Sequence, residues 1–503
     1  MKIFCNACCS HDSGLFFFAK FKKMKLYTNI NQQLCDTKTP VALYLALRDL
    51  YPNSLLLESS DYNSKDGHYS YICLNPLATI TLHQSVLKTK INGAIAQEAI
   101  GFDTKNVLEK LTGFKDQFEF ESQNLPFCYA GLFGFMGYDC INYAEDIRLN
   151  ESKKRINIPE LLYSVYGIIL VFNHSTNNLC VISHNFTNEI SQSQLAIIEE
   201  QVQYLAHRAF SFETIGDTES NLTDEDYRAM AKKAKVHCQQ GDVFQLVLSR
   251  RFSQRFVGDE FNVYRALRNI NPSPYLFYFD LGDFKLFGSS PEAQLVIAKK
   301  EAEIHPIAGT YRRTGDDAFD LERAKELLND PKENAEHNML VDLARNDLSK
   351  YCSDVTVKFL KQTQFYSHVI HLVSKVVGKI KQSYRPFDVL FGTFPAGTLS
   401  GAPKYKALQL IDEYEPDARE FYGGCIGLIS HDDQLNHAIM IRTFLSINNT
   451  LYFQAGAGIV ISSEEEKELE EINHKLSALK KAIQQAEKFN KTSIAKSHET
   501  SNT

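Results

Sequence analysis

The sequence predicts an α/β fold of the α+β kind: a sandwich of mixed or antiparallel sheets faced by helices. Short strand-like runs outnumber helical ones in the second half of the chain. Tight turns such as Leu281-Gly282 and Ile447-Asn448-Asn449 join neighbouring runs, as hairpins require. Strict strand–helix–strand units are few, and neither a GxGxxG nor a GxxxxGK[ST] loop stands where a nucleotide fold would need it.

Taken in order, Pro40 opens a short helix within 24–50, with Val41, Leu43, Leu45, Ala46 and Leu50 as apolar positions. Residues 53–60 and 68–76 read as buried strands. Residues 80–100 alternate around the hairpin signal Asn92-Gly93. The glycine-rich aromatic run 127–138 suggests close backbone approach within a sheet. Strands are expected at 161–173 and 179–185 and a helix at 189–208, and the polar stretch 211–222 marks the main boundary. Thr223 and Asp226 then start a helix that Gly241 stops, and a strand follows over 242–252. Further strands are predicted at 275–281, 284–288, 293–298, 355–362, 371–380, 424–430, 437–447 and 451–456. Helices are predicted at 317–329, 333–345, 386–391, 403–413 and 464–485. The expected organisation is an extension outside the fold at 1–23, two regions at 24–220 and 221–486, and a polar tail at 487–503. Met24 opens MKLYTNI, which reads like an ordinary chain start.

Composition narrows the function. The 503 residues carry 61 acidic and 54 basic side chains, net -7, which argues against a general nucleic-acid binder. A locally positive pocket for a small anion remains compatible with that charge. The 11 cysteines are odd in number and thinly spread, which reads as free thiols in a reducing compartment. Cys5, Cys8 and Cys9 have metal-like spacing, but a zinc site would need His11 and one more ligand. No run of 18 apolar residues occurs, so a soluble, cytoplasmic protein without a membrane span is expected.

Four segments carry possible chemistry. In 332–350, Glu333, Glu336 and His337 share one helical side, and two carboxylates three apart can hold a hard cation. A solvated face fits that spacing equally. In 463–475, Ser463 and Glu466 form a capping-box pattern, and Glu468 and Glu471 flank the stripe Ile472, Leu476, Leu479. Two such glutamate pairs meeting would suit Mg2+, which takes carboxylates, waters and a substrate anion. In 454–463, Gly456 and Gly458 would let backbone N–H groups nest an anion, although tight packing explains them as well. Arg442, in the preceding strand, has the fork geometry for a carboxylate. In 392–404 a Gly- and Pro-shaped loop offers Thr398 and Lys404, with Ser400 as a helix cap, and GSSPE at 288–292 presents Glu292 at a strand end.

Together these segments resemble the chorismate-utilising enzymes, and most closely the large subunit (component I) of anthranilate synthase. The matching stretches are FQLVLSRRF, NPSPYLFYF, GSSPE, HPIAGTYRR, ENAEHNMLVDLARNDL, HVIHLVSKVVG, TFPAGTLSGAPK, YGGCIG, IMIRTF and QAGAGIV, in one order between 244 and 460. The resemblance implies an α/β sandwich in which a regulatory, tryptophan-binding N-terminal part wraps around a chorismate-binding C-terminal part. It implies a magnesium-dependent lyase that converts chorismate and ammonia to anthranilate and pyruvate. Glu336 and Glu471 would be Mg2+ ligands, supported by Glu333 and Glu468. Glu292 would be the general acid, with His371 and Thr398 lining the site and His371 assisting pyruvate elimination. Tyr422 and Arg442 would grip the enolpyruvyl carboxylate. The backbone at Ala455, Gly456, Ala457 and Gly458 would hold the ring carboxylate, and Gln245, Ala308, Gly309, Thr310 and Lys475 would complete substrate binding. Glu58, Ser59, Asn271, Pro272, Ser273, Pro274, Tyr275 and Leu276 would form a tryptophan feedback site. The family usually has Met at 276, but Leu is similar in volume, so inhibition is expected to survive.

Two positions separate relatives. Water-using isochorismate and salicylate synthases typically place a base lysine where this chain has Gln245, and aminodeoxychorismate synthases typically carry lysine where it has Ala308. Both favour the anthranilate branch, with component I of aminodeoxychorismate synthase as the alternative and a non-catalytic regulatory binder a distant third. No Gly-x-Cys-x-Gly turn for a glutaminase appears, so ammonia is expected from a separate glutamine amidotransferase subunit, in a heterotetramer by resemblance.

Overall fold

A computed structural model describes residues 23–59, 69–204, 210–365 and 369–489. The cysteine cluster near position 5, most of the expected N-terminal extension and residues 490–503 of the expected tail lie outside them. The strands are β1 (Met24–Leu34), β2 (Leu55–Glu58), β3 (Tyr69–His83), β4 (Val86–Ile91), β5 (Ala94–Ala99), β6 (Phe118–Phe120), β7 (Gly131–Met136), β8 (Leu161–Asn173), β9 (Asn178–Asn185), β10 (Phe212–Ser220), β11 (Gln245–Gly258), β12 (Tyr275–Asp280), β13 (Lys285–Ser290), β14 (Ala293–Ala298), β15 (Glu301–Ile304), β16 (Ile307–Arg312), β17 (Cys352–Phe365), β18 (Val369–Ile380), β19 (Gly401–Ala402), β20 (Cys425–Ser430), β21 (Leu435–Ile439), β22 (Thr443–Ile447) and β23 (Thr450–Ile459). The helices are α1 (Pro40–Leu47), α2 (Thr104–Asp116), α3 (Ile141–Ala144), α4 (Asn188–Tyr204), α5 (Asp224–Gln240), α6 (Phe261–Ile270), α7 (Asp317–Asn329), α8 (Pro331–Tyr351), α9 (Pro386–Thr393), α10 (Lys404–Tyr414) and α11 (Glu465–Ala486).

Every pairing among these strands is antiparallel except β1 with β6. One row runs β10–β11–β23–β22–β13–β12–β2–β3. A second runs β17–β18–β15–β14–β21–β20–β7–β8. A long β3–β8 pairing joins them. The two rows pack face to face: Phe277, Phe279 and Leu286 of the first share a buried cluster with Phe133, Phe135, Ile426 and Ala438 of the second. Helices cover the outer surfaces, with α11 against β23, α5 and α6, and α8 against β16, β17, β18 and α9. The predicted mixed architecture of sheets and helices is therefore present.

Local chemistry explains the helices that matter. In α5 the Thr223–Asp226 capping box is formed, and Gly241 ends the helix at a φ of 81°. Asp330 caps α8 through the N–H groups of Lys332 and Glu333, with Pro331 at its first position. The box expected at Ser463 does not form: Glu464 is the N-cap, and Ser463 Oγ accepts from Val460 N at 3.0 Å. α11 holds its place through Leu469, Ile472, Leu476, Leu479 and Ile483, all buried, each contributing about 1.5–3 kcal/mol. Ser400 likewise caps nothing and donates to Ala396 O.

Three further differences concern strands. β1 forms where only a helix was expected in 24–50. The polar stretch 211–222 is largely β10, whose alternation is weak because most of its side chains are exposed. The expected strand 437–447 is two strands, broken at 440–442. Pairings β2–β12 and β7–β20 cross residue 220, so the two expected regions share sheets. The described cysteines are all free thiols, and all but Cys128 are buried.

Candidate active site

Glu292 stands in the two-residue link between β13 and β14. Its carboxyl is buried, and Oε1 accepts from Thr398 Oγ1 at 3.0 Å. Thr398 sits on the 3-10 turn Gly397–Leu399. Burial pushes Glu292 up to about 7, although the Thr398 hydroxyl and the charges of Lys475 and Arg442 pull the other way. Near neutrality it therefore exchanges a proton, which an ordinary glutamate does not.

Arg442 lies in the break between β21 and β22, with a left-handed φ of 49°. That conformation costs a non-glycine residue about 1–3 kcal/mol and re-aims the side chain. Three main-chain hydrogen bonds fix the break: Met440 N to Gly424 O (2.7 Å), Gly423 N to Met440 O (3.1 Å) and Ser289 N to Arg442 O (3.2 Å). Among the described residues the guanidinium makes one side-chain hydrogen bond, to Asn271 Oδ1 at 3.1 Å. A guanidinium has five N–H donors, so a ligand carboxylate can be met by the others.

The glycines at 456 and 458 do not form the expected nest; they lie in regular β23, opposite Ser249 and Val247 of β11. Their pairing with β11 runs on to Ile459, whereas β22 leaves the other edge after Phe453. That edge is where alternate N–H groups of residues 454–459 can reach a ligand. Small residues are needed because Tyr422 and Gln245 crowd the strand: a Cβ at Gly456 would stand 3.1 Å from Tyr422 Oη, and one at Gly458 2.4 Å from Gln245 Nε2. At Gly456 it would also meet Leu248 O at 2.8 Å, a main-chain atom that cannot step aside. Gly456→Ala is therefore expected to destabilise the fold by about 1–3 kcal/mol, read as a fall in Tm; an unchanged Tm would show that the ladder gives way.

Four glutamates, two on α8 and two on α11, lie within electrostatic reach of one another. Burial pushes Glu336 up to about 7, and the negative charges of Glu333, Glu471 and Glu468 add to the rise against Lys332. Glu333 is raised by burial first, with Asp330 and Glu471 adding to it. Burial also raises Glu468, against a hydrogen bond from Ser463. Glu471 pairs with Lys475 at 2.7 Å, and Lys475 Nζ also donates to Gly456 O at 2.8 Å. Among the described residues no three His, Cys, Asp or Glu groups come close enough to form a ready-made metal cage. The donor set nevertheless fits Mg2+, which needs only one or two carboxylates beside water and substrate oxygens. The repulsion among these carboxylates, which adds to the effect of burial on Glu336, is what a divalent cation would relieve.

His371, on β18, is buried, which lowers its pKa to about 4. Its Nδ1 lies 3.0 Å from Gly309 O, so the neutral ring carries its proton there. Gly309 in turn lies beside Glu333: a Cβ there would stand 3.1 Å from Oε2. Ala308 is the neighbouring β16 residue, and the Thr310 side chain lies outside the described parts. Gln245 is buried. Lys404 pairs with Asp347 at 2.7 Å and binds Thr393 O. A cavity of about 40 Å3 lies behind Glu292, walled by Gln294, Leu340, Leu343, Asp347 and Thr398. It has room for a few waters.

The structure also gathers the second predicted group. Pairing of β2 with β12 sets Glu58 opposite Leu276, with Ser59 next to it and Asn271–Tyr275 on the approach to β12. Sequence reasoning missed what holds Glu58. Tyr264 Oη donates to it at 2.7 Å, and Arg268 donates through Nε at 2.9 Å and Nη2 at 3.0 Å. The only signal was that Tyr264 and Arg268, four apart, share one face of α6. Also missed was buried Arg419, which is bound to Glu415 and lies 5.5 Å from the Tyr422 ring.

A buried acid, an arginine with donors to spare, a neutral histidine and two glutamate pairs lie together on one antiparallel α/β sandwich. The chain belongs to the chorismate binding enzyme family, whose model matches residues 57–481. It is homologous to anthranilate synthase component 1 of several bacteria. It is 36% identical over 481 residues to that of Aquifex aeolicus, covering 93% of this chain and 96% of the relative. With the Bacillus subtilis protein it shares 36% over 482 residues, covering 90% and 91%. Anthranilate synthase component I from Streptococcus pneumoniae superposes with a TM-score of 0.73 at 32% identity, over 83% of this chain and 93% of that one. The menaquinone-specific isochorismate synthase of Escherichia coli shares the fold at a TM-score of 0.70 and 18% identity, over 92% and 95%. No helix among the described residues is long and apolar enough to cross a membrane.

Proposed function

We propose that this chorismate-utilising enzyme is the large subunit of anthranilate synthase, joining ammonia to chorismate and releasing anthranilate, pyruvate and water. The observation that carries this reading is Glu292, a buried acid raised to about 7 and within the electrostatic reach of Arg442 and Lys475. Arg442 and Tyr422 hold the enolpyruvyl carboxylate, and the free edge of β23 at 456–458 holds the ring carboxylate. Ammonia forms a bond to ring C2 while the C4–O bond breaks, and Glu292 gives its proton to the departing hydroxyl, which leaves as water. Loss of the C2 proton and cleavage of the enolpyruvyl ether bond then release pyruvate and leave an aromatic ring, with His371 beside the step. Glu336 and Glu471, backed by Glu333 and Glu468, would hold Mg2+, which neutralises the ring carboxylate when bound. Residues 221–486 carry this chemistry. Residues 24–220, with the loop 271–276, carry a tryptophan site in which Glu58 would exchange part of its Arg268 contact for the ligand's ammonium group. A glutaminase partner supplies the ammonia.

The test is product identity. With chorismate, Mg2+ and an ammonium salt, the purified chain is expected to yield anthranilate, seen by fluorescence and mass. Accumulation of aminodeoxychorismate without anthranilate would assign the other branch, against which Ala308 speaks. The acid also fixes a pH dependence. Glu292 is protonated below about 7 and loses the proton above it, whereas free ammonia becomes more abundant as pH rises. With free ammonia held constant, kcat is expected to fall by up to about tenfold per pH unit above that point. A flat profile through pH 9 would remove Glu292 from the role.

A further inference from the structure

We infer that Asn271 is the positioning residue for Arg442, so that the loop on the Glu58 side sets the aim of the substrate grip. This rests on reading Arg442 as the carboxylate-holding group. The carboxamide is used at both ends. Its Oδ1 accepts from Arg442 Nη1 at 3.1 Å, while Nδ2 donates to Ser289 Oγ at 3.2 Å and Ser273 Oγ at 3.3 Å. Ser289 Oγ donates back to the Asn271 carbonyl, and Asn271 N donates to Leu267 O at 2.8 Å, closing the end of α6. Ser289 N in turn donates to Arg442 O at 3.2 Å, so the same serine holds both the backbone of the arginine and the side chain that aims it.

The geometry is one-sided. Arg442 projects from a three-residue break rather than from a strand, in a strained left-handed conformation. Its sole described side-chain hydrogen bond is to Asn271. Without that acceptor the guanidinium keeps no side-chain hydrogen bond among the described residues, and it feels the charge of Glu292, the acid it must not neutralise. Asn271 thus keeps Arg442 turned to the ligand. It also ties the grip to the segment that carries Arg268 and Tyr264, the partners of Glu58. A shift of that loop is felt at Arg442 through one hydrogen bond.

A double-mutant cycle tests this. Asn271→Ala is expected to raise the KM for chorismate about tenfold while kcat stays within about threefold, because a hydrogen bond to a charged group is withdrawn from binding. In an Arg442→Ala background the same change is expected to cost less than twofold. An equal cost in both backgrounds, or an unchanged KM in the wild-type background, would overturn the inference. If Asn271→Ala does not fold, as judged by circular dichroism, Asn271→Ser keeps a polar group in the loop but sets its oxygen one bond back from Arg442, and the same outcomes decide. Arg442→Ala alone separates the two readings. If it leaves chorismate turnover intact, the proposed grip is wrong. If it impairs turnover but the Asn271 variants do not change KM, only the positioning role is lost.

Discussion

Glu292→Gln is expected to lower kcat by about 10²–10⁴-fold, the usual contribution of a positioned acid, with a much smaller effect on chorismate KM. Glutamine keeps the shape and can still accept from Thr398, so the loss isolates the proton. Steady-state kinetics at saturating ammonium check it, and a variant within threefold of wild-type kcat would end the acid assignment. Stability should move the opposite way. Glu292 is raised when folded, to about 7 from an ordinary value near 4.5. The folded chain therefore binds the proton more tightly, and the stability associated with it is present below about 4.5 and lost as pH rises through about 7. Glutamine has no such loss, so the Tm of the variant should gain on wild type across that window. This separates lost chemistry from lost fold, and it is the trade expected where a site stores an unfavourable group.

Glu336→Gln is expected to reduce magnesium-dependent turnover by about 10²–10³-fold, since a charged oxygen ligand beside the developing chemistry contributes several kcal/mol. Folding should survive, because among the described residues Glu336 makes no hydrogen bond or ion pair and its burial is resisted by three neighbouring carboxylates. The apparent Mg2+ requirement, titrated by activity at fixed chorismate, should rise along with the loss. Turnover close to wild type at low Mg2+ would refute the ligand role. Glu468→Gln should be milder: Glu468 is raised by burial and hydrogen-bonded to Ser463, a supporting position rather than the most repelled one.

Much of this protein was legible in the chain because helix and strand periods are local. Apolar recurrence placed α7, α10 and α11 within one residue and the start of α8 within two, although α8 runs six residues past its expected end; the strand signals placed β12, β13, β14 and β20 within two residues. The amphipathic helices α2 and α6 were missed although their pattern is local; other errors fell where tertiary contact overrides pattern. β10 is polar because its side chains face water, so its backbone pairing with β11 left no hydrophobic signal. The glycines of QAGAG fitted an anion nest or tight packing equally from sequence, and the close approach of Tyr422 and Gln245 decides for packing. Ser463 had the spacing of a cap yet is held by Val460 N instead.

The order of motifs by itself determined the family, and with it the residues proposed for acid, grip and cation. It also determined that Glu333 with Glu336, and Glu468 with Glu471, share helix faces, because a 3.6-residue period needs no partner to be read. Only the tertiary structure decided that the two faces oppose each other, that Arg442 leaves its strand, and that Asn271 reaches it across 171 positions. Those are contacts between segments distant in the chain. They arise from sheet register and helix packing, whose free energy belongs to the whole fold and leaves no periodic trace in any one stretch.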